Sequence, residues 1–398
     1  MNPSKPHILI AGAGLGGLTA AIALALRGFR VDVFEQAPVL GEVGAGLTVS
    51  RSAQAVFAEL GLLGKVRETA SITSRMAFLH YTSGRLLAGA VDDGDGVWNP
   101  DKPEGGIHIH RADMHALLAA RFAELAPGHL HLGRKLVDFT DASGPVQVRF
   151  ADGSTLEGDY LVGADGVRSA VREKLWGEGA PRFTGQVAYR FMVPGETAAP
   201  FLREAGRAAV FLGPGRVFNR YTLRGGAVVN CVGITRSESW TGEGWSTPAR
   251  VDEMLALYEG WHPDVVGLMA KAPSAHLIKW VLFDRPQLSD WRRARTTLLG
   301  DAAHPMLPFL GLGAAMAIED GMVLARALEL SPDGDGLNLY ESLRQPRTRR
   351  IAELSRIQGE ISQARDPDDY DPAAAPAQDK SIQDYDPVTT PLTPETIV

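Results

Sequence analysis

The stretch from His7 to Glu35 constrains the fold more than any other part of this chain. It reads HILIAGAGLGGLTAAIALALRGFRVDVFE. A short apolar run predicts a buried parallel strand, an Ala- and Leu-rich segment predicts a helix, and a second apolar run predicts the next strand. Glycines in the pattern G-x-G-x-x-G join the first strand to the helix. A unit of this kind is typical of an α/β domain with a parallel, doubly wound sheet.

Each glycine of this turn has a separate physical task. Gly12 permits the tight turn, Gly14 lets the backbone approach a pyrophosphate, and Gly17 lets the helix pack closely on the strand. The free N–H groups at the start of the helix then face the phosphates. Glu35 follows about 20 residues downstream, where a carboxylate can bind ribose hydroxyls. The unit therefore predicts a bound dinucleotide, and a glycine-rich turn without a ligand is the weaker alternative.

Composition limits the other classes of protein that the chain can form. Its 398 residues are 45% hydrophobic, which suits one large or two interleaved domains. The lone cysteine excludes an internal disulfide and a cysteine-based zinc site, and it fits a reducing compartment. Cys231 lies in an apolar run and is interpreted as a core residue. His108 and His110 alternate along a strand, and without a cluster of acids or cysteines a metal site is the weaker alternative.

The formal charge of −7 comes from one segment. Residues 366–398 hold eight acidic side chains and one lysine, so the rest of the chain is formally neutral. No basic field favours nucleic acid. The apolar N-terminal stretch lacks a basic flank and a cleavage site, and no other long apolar run is present. We therefore expect a cytoplasmic protein that binds neither membrane nor nucleic acid, with an acidic tail that is disordered or extended over the surface.

A change of pattern marks a second domain. From Gly185 to Gly233 short strand-like segments alternate with Gly and Pro turns, which predicts an antiparallel sheet. The predicted dinucleotide-binding domain is discontinuous and covers residues 1–72, 106–178 and 281–365, and the predicted substrate domain covers 73–105 and 179–280. Helices are predicted from Val167 to Trp176, from Val251 to Ala270 and from Tyr340 to Arg365, the last kinked or broken by Pro346.

Three motifs occur in a fixed order along the chain. They are GAGLGG with Glu35, DYLVGADGVRSAVR from Asp159 to Arg172, and LLGDAAHPMLPFLGLGAAMAIED from Leu298 to Asp320. Together they resemble the single-component FAD-dependent aromatic hydroxylases, in particular the salicylate hydroxylase and 6-hydroxynicotinate 3-monooxygenase types. The resemblance spans roughly residues 5 to 360. It implies a Rossmann-like FAD-binding domain, of the α/β class, with an interleaved antiparallel β-sheet substrate domain.

The resemblance implies which residues bind FAD. Those at the pyrophosphate and adenosine end are Gly12, Gly14, Leu15, Gly16, Gly17, Glu35, Arg111, Val137 and Asp165, the last also being associated with the nicotinamide nucleotide. Those at the flavin end are Gly46 and Leu47 of a second glycine-rich loop (Gly41–Leu47), Asp301, Gly313, Ala314 and Ala315. The N-terminus of the helix predicted from Ala314 to Leu330 would also stabilise negative charge on a reduced flavin.

The same resemblance implies the reaction. NADH or NADPH reduces FAD, O2 adds at the flavin C4a, and the resulting hydroperoxide hydroxylates an aromatic or heteroaromatic molecule that is carboxylated or phenolic. His304, followed by Pro305, is the first candidate for acid–base or positioning work, and Tyr221 matches a tyrosine of the substrate pocket. A structural histidine and an aromatic sheet residue are the open alternatives. We hypothesise that Arg220 pairs with a substrate carboxylate.

Departures from the family pattern indicate a different substrate from those of the named relatives. Arg51-Ser52 replaces a common Pro-Asn, and Leu312 replaces a common Gln or Ala. Other possible activities are FAD-dependent epoxidation or halogenation, a flavin-free NAD-linked dehydrogenase, and a flavin-binding module without catalysis. The sequence leaves open whether the protein is a monomer or a homodimer.

Overall fold

The structure is a computed structural model of the chain. It describes residues 5–41, 45–73, 75–91, 106–141, 144–177, 182–202, 206–238, 240, 246–332, 335–376, 379, 382 and 384–393. Part of the second glycine-rich loop, residues 42–44, lies outside the described residues.

The described chain alternates strands and helices at both ends and is richer in strands in between. The strands are β1 (His7–Ala11), β2 (Arg30–Phe34), β3 (Gly46–Val49), β4 (Ser71–Thr73), β5 (Ala77–His80), β6 (Leu86–Gly89), β7 (Gly106–His110), β8 (Leu130–His131), β9 (Leu136–Thr140), β10 (Val146–Phe150), β11 (Thr155–Gly158), β12 (Tyr160–Gly163), β13 (Arg182–Pro194), β14 (Ala208–Gly213), β15 (Arg216–Leu223), β16 (Val228–Arg236), β17 (Ser246–Pro248), β18 (Ile278–Asp284), β19 (Arg292–Arg293) and β20 (Thr296–Leu298). The helices are α1 (Leu15–Leu26), α2 (Arg51–Glu59), α3 (Leu63–Thr69), α4 (Arg111–Leu125), α5 (Ala170–Trp176), α6 (Gly195–Ala198), α7 (Val251–Leu257), α8 (Pro263–Ala270), α9 (Gly313–Leu330) and α10 (Asp335–Ser362).

The first sheet has the strand order β19-β20-β12-β1-β2-β8, and its central pairs are parallel. Its strand β1 is fully buried at Ile8, Leu9 and Ile10, as the continuous apolar run predicts. Strands from both ends of the chain therefore meet in one sheet. Their carboxyl ends lie along one edge, where α/β proteins bind ligands.

The second sheet has the order β17-β18-β13-β16-β15-β14-β5-β6 and is antiparallel except between β14 and β5. Helices α7 and α8 cover one of its faces, which we call the outer face. We call the opposite face, which lies towards the first domain, the inner face. The mixed fold class is as predicted, and the predicted domain boundaries stay predictions.

Three predicted helices differ from those observed. The segment Val251–Ala270 forms two helices because Gly260 adopts a φ of +78° and Pro263 begins a new helix. Helix α10 runs through Pro346 without a break, so the predicted interruption is wrong. Its flanking arginines, Arg344 and Arg347, are held in buried ion pairs on either side of the proline. Helix α5 begins three residues later than predicted, with Ser169 as its cap.

Several apolar side chains of the acidic tail pack on the protein. Tyr370 packs in a cluster with Val210 and Leu212 of the second sheet. Ile382 is buried in the core of the first domain, and Tyr385 packs against that core. Of the two predicted alternatives, these contacts favour a tail that extends over the surface, because each apolar side chain packs in a hydrophobic cluster. In the described part of the chain, no helix combines the length and hydropathy needed to cross a membrane.

Candidate active site

A cavity of about 560 Å³ opens at the carboxyl edge of the first sheet, beside the glycine-rich turn. Its lining includes Gly12, Gly14 and Glu35 from the first motif, and Asp165 from the second. A Cβ atom added to Gly14 would meet nothing within 4 Å, because this residue faces the open space. A Cβ on Gly12 would lie 2.3 Å from the Ala164 carbonyl oxygen. The turn therefore packs against Ala164 at Gly12 and is open to the cavity at Gly14, as phosphate binding requires.

Glu35 is held in place by two backbone N–H groups. Its Oε2 atom accepts a hydrogen bond from the Ala13 N–H at 3.0 Å, and Oε1 accepts one from the Ala37 N–H at 2.9 Å. Each carboxylate oxygen keeps a second lone pair for a ligand hydroxyl. The carboxylate therefore lies on the cavity wall in a fixed orientation, at the position predicted for ribose binding.

Asp165 contacts the start of helix α5 through one of its two carboxylate oxygens. Its Oδ2 atom accepts hydrogen bonds from the Ala170 and Val171 N–H groups at the start of α5. Its Oδ1 atom is buried and has no hydrogen-bond partner among the described residues. Burial raises the pKa of Asp165, against hydrogen bonds from Ser169 and the backbone that lower it. An unpaired buried oxygen on a cavity wall is a group that a ligand would satisfy.

The sequence reasoning missed the basic side chains of this cavity. Arg134, Lys135 and Arg168 line it, and Arg168 belongs to the second motif. Two consecutive basic residues before a strand were the available signal. Val137 is exposed, and the strand reaches the cavity one residue earlier, at Leu136. Its assignment to the adenine side stays a prediction.

The flavin-end residues lie between the two domains. Asp301 is exposed in a short turn after β20. Gly313 begins α9, whose N-cap residue Leu312 makes no side-chain hydrogen bond. A Cβ on Gly313 would meet only the Met306 Cγ atom, at 3.8 Å. The first N–H groups of this 18-residue helix, those of Gly313, Ala314 and Ala315, therefore have no side-chain cap and can bind an anionic group.

Two further predicted flavin-end positions lie on β3, and Arg111 lies nearby. Gly46 and Leu47 begin this strand, and the Gly46 N–H donates to the Asn230 Oδ1 atom of the second sheet at 3.0 Å. Arg111 is exposed at the start of α4, and its backbone N–H donates to the Ala45 carbonyl. The start of β3 is therefore fixed directly against the inner face of the second sheet.

Tyr221 lies on the inner face, and its assignment to the substrate pocket stays a prediction. Its ring stacks on His108 with centroids 4.5 Å apart, and a Cβ on Gly46 would lie 2.5 Å from it. Burial raises the pKa of Tyr221, so its phenol stays protonated at neutral pH and can donate a hydrogen bond. His108 also bonds Thr48 and Thr73, and the described residues contain no cluster that could hold a metal.

Arg220 is on the wrong face for the role that we hypothesised. Successive residues of a strand point to opposite faces, so Arg220 points away from Tyr221. It is fully buried, and its Nη1 atom donates to the Gly206 carbonyl at 2.6 Å. Burial lowers its pKa to about 10, partly offset by the nearby Cys231 and Asp264. This placement does not support the pairing of Arg220 with a substrate carboxylate, which stays a prediction.

His304 is buried in an ion-pair network that the sequence did not reveal. Its Nε2 atom lies 2.5 Å from the Asp320 Oδ2 atom, and its ring packs on Trp291. Asp320 also accepts from Arg344 at 2.6 Å, and Arg344 bonds Glu319. This geometry favours the structural alternative, although a catalytic role stays a prediction. Pro305 follows in a partly buried loop.

These features fit FAD. The cavity offers a glycine cradle, an oriented carboxylate, an unpaired Asp165 oxygen and basic side chains for the adenosine diphosphate. The uncapped N-terminus of α9 and the start of β3 offer backbone groups at the predicted flavin end. The chain matches the family described as an FAD binding domain over residues 5–213 and 241–355. The protein belongs to the family of FAD-dependent aromatic monooxygenases.

Individual members of this FAD-dependent family are similar over most of the chain. A 3-amino-4-hydroxybenzoate 2-monooxygenase of Streptomyces platensis is 35% identical over 362 residues, covering 90% of this chain and 89% of the relative. A 6-hydroxynicotinate 3-monooxygenase of Bordetella bronchiseptica is 33% identical, covering 88% and 91%. The structure of a salicylate hydroxylase substrate complex superposes with a TM-score of 0.80 at 26% identity, covering 96% of each chain. The predicted family, fold and FAD cofactor are confirmed.

Proposed function

We propose that this monooxygenase hydroxylates a phenolic aromatic or heteroaromatic carboxylic acid. The observation that supports this most is the contact between Tyr221 on the inner face and Gly46 on the predicted flavin side. A buried, protonated phenol beside that position can donate to an oxygen on the substrate ring. The two relatives and the salicylate hydroxylase are all named for an aromatic acid that carries a ring hydroxyl.

The proposed reaction consumes NADH or NADPH and O2. One oxygen atom enters the ring and the other leaves as water, so that NAD(P)H, H⁺, O2 and the aromatic substrate give NAD(P)⁺, water and the hydroxylated product. FAD, when bound, carries the electrons from the nicotinamide to O2. The chain's own residues orient the ring, exclude water and hold a proton at the Tyr221 hydroxyl. We propose a cytoplasmic enzyme that acts as a monomer or homodimer.

The test follows NAD(P)H oxidation and O2 uptake by the FAD-loaded enzyme against a panel of hydroxybenzoates, aminobenzoates and hydroxynicotinates. We expect one group of these acids to stimulate oxidation and to yield a product heavier by one oxygen atom. Oxidation that is coupled only to hydrogen peroxide release, with every acid of the panel, would contradict the proposal. Equal stimulation by aromatic acids and by alkenes would favour epoxidation.

A further inference from the structure

The inner face carries an arginine whose side chain has a buried nitrogen without a partner among the described residues. Arg190 lies in β13, next to the outer-face residue Tyr189. Its Nε atom is buried, and its guanidinium lies over the Trp280 ring, with 5.4 Å from Cζ to the ring centroid. The side chain is partly buried, and a buried donor without an acceptor costs free energy. The unpaired Nε atom therefore points to a ligand.

Arg190 lies on the same face of the second sheet as Tyr221. Successive side chains of a strand point to opposite faces of the sheet. Tyr189 packs in the outer-face cluster, so the next residue, Arg190, points to the inner face, as Tyr221 does. Burial lowers the pKa of Arg190, the phenol of Tyr221 raises it, and the nearby Arg111 lowers it further. A negatively charged ligand beside Arg190 would favour the charged form of its guanidinium.

Asn219 lies across the inner face from Arg190, in the same row of residues. The strand register aligns Asn219 with Val232, and Val232 with Arg190. Two strand spacings separate the Cα atoms of Asn219 and Arg190 by about 10 Å. The Asn219 Oδ1 atom is buried without a hydrogen-bond donor among the described residues. Val232, between them, provides an aliphatic surface on which a ring can lie.

We propose that Arg190 binds the carboxylate of the aromatic substrate, that the ring lies over Val232, and that Asn219 accepts a hydrogen bond from a hydroxyl or amino group opposite the carboxylate. The planar fork of a guanidinium matches the two oxygens of a carboxylate. This inference rests on the proposed function and specifies the substrate as an aromatic acid with a hydrogen-bond donor across the ring. It assigns to Arg190 the role that the sequence suggested for Arg220.

The test measures the dissociation constants of hydroxy- and aminobenzoates and of the matching benzamides by calorimetry with the FAD-loaded enzyme. We expect the native enzyme to bind the best benzoate about 100-fold more tightly than its benzamide, because the amide lacks the charge. Arg190→Met keeps the aliphatic length and is expected to remove this preference. Arg190→Lys keeps the charge without the fork and is expected to be intermediate. Arg182→Met, at the exposed start of the same strand, is the matched control and should change nothing.

A second variant tests the opposite end of the ring. Asn219→Leu should lower the affinity for ligands that carry a hydroxyl or amino group opposite the carboxylate by about tenfold. The affinity for unsubstituted benzoate should stay unchanged. Affinity for benzoates that is equal in the native enzyme and in Arg190→Met would overturn the inference, even if hydroxylation continues. Equal binding of benzoate and benzamide by the native enzyme would overturn it without any variant. Arg190-dependent binding without hydroxylation would support the inference and contradict the proposed function.

Discussion

Gly14 and Gly17 differ in what surrounds them, although both belong to the same glycine-rich turn. A Cβ on Gly14 would enter open space, whereas one on Gly17 would lie 2.1 Å from the Gly12 carbonyl oxygen. We expect Gly14→Ala to fold normally and to bind FAD about tenfold more weakly, because the methyl group occupies the approach of the pyrophosphate. Gly17→Ala should destabilise the FAD-free protein by about 1–3 kcal/mol. Flavin fluorescence titration and thermal melting separate the two effects, and an unchanged melting temperature for Gly17→Ala would contradict the packing argument.

The Tyr221 hydroxyl is the second position where a single group can be tested. If it donates to a substrate oxygen that gains negative charge, its loss costs about 1.5–3 kcal/mol. We expect Tyr221→Phe to lower kcat/KM roughly 10- to 100-fold without lowering the melting temperature. Tyr189→Phe is the matched control, because Tyr189 lies on the outer face and bonds Glu253. Equal activity of Tyr221→Phe and the native enzyme would leave Tyr221 with a packing role only.

At the scale of elements, helices α9 and α10 are joined by buried ion pairs. Asp320 and Glu319 of α9 face Arg344 and Arg347 of α10, and His304 completes the network. Removal of one charge leaves its partners buried without compensation, so Asp320→Asn should cost about 3–5 kcal/mol of unfolding free energy. The control is Glu329→Gln, because Glu329 also lies on α9 but is an exposed ion-pair partner of Arg27. This variant should lose less than about 1 kcal/mol of unfolding free energy. Urea unfolding of both variants measures the difference.

The same network predicts how stability depends on pH. Burial alone would raise the pKa of Asp320, but the charges and hydrogen bonds of His304 and Arg344 outweigh it and lower the pKa to about 2. A pKa below that of the unfolded chain means that the stabilisation is present above about pH 4 and is lost as pH falls towards 2. Between pH 4 and 2, we expect the unfolding free energy of the native protein to fall by about 2 kcal/mol more than that of Asp320→Asn. Parallel pH dependences of the two proteins would contradict this assignment.

At the scale of the whole molecule, part of the acidic tail, the segment that holds Ile382 and Tyr385, packs on the first domain. The Tyr385 ring lies against Arg347, with 4.1 Å from Cζ to the ring centroid, and Arg347 also donates to the Ile382 carbonyl. Arg326 donates to the carbonyls of Pro387 and Thr390. The segment therefore shields the ion pairs of α9 and α10 from water.

We expect Tyr385→Ala to destabilise the protein by about 2–4 kcal/mol, because it opens a cavity beside a buried charge. Ala374→Ser, at an exposed position of the same segment, is the control and should be neutral within about 0.5 kcal/mol. Chemical unfolding of the FAD-loaded proteins measures both changes. If Tyr385→Ala were as stable as the control, the segment would be only a surface attachment.

The sequence by itself determined the first βαβ unit, the family and the cofactor. Glycines, helix and acid lie within about 30 residues there, so local chain geometry brings them together without help from the rest of the fold. Glu35, Gly14 and Asp165 accordingly line one cavity in the structure.

Only the tertiary structure decided which side chains of the second sheet lie on its inner face and which charges are buried. Arg190 and Arg220 both lie in apolar strands, and their faces depend on a register set by strands far apart in the chain. Similarly, His304 meets Asp320 and Arg344 only because α9 and α10 pack together. Residue type indicates what a side chain can do, but long-range packing decides what it contacts.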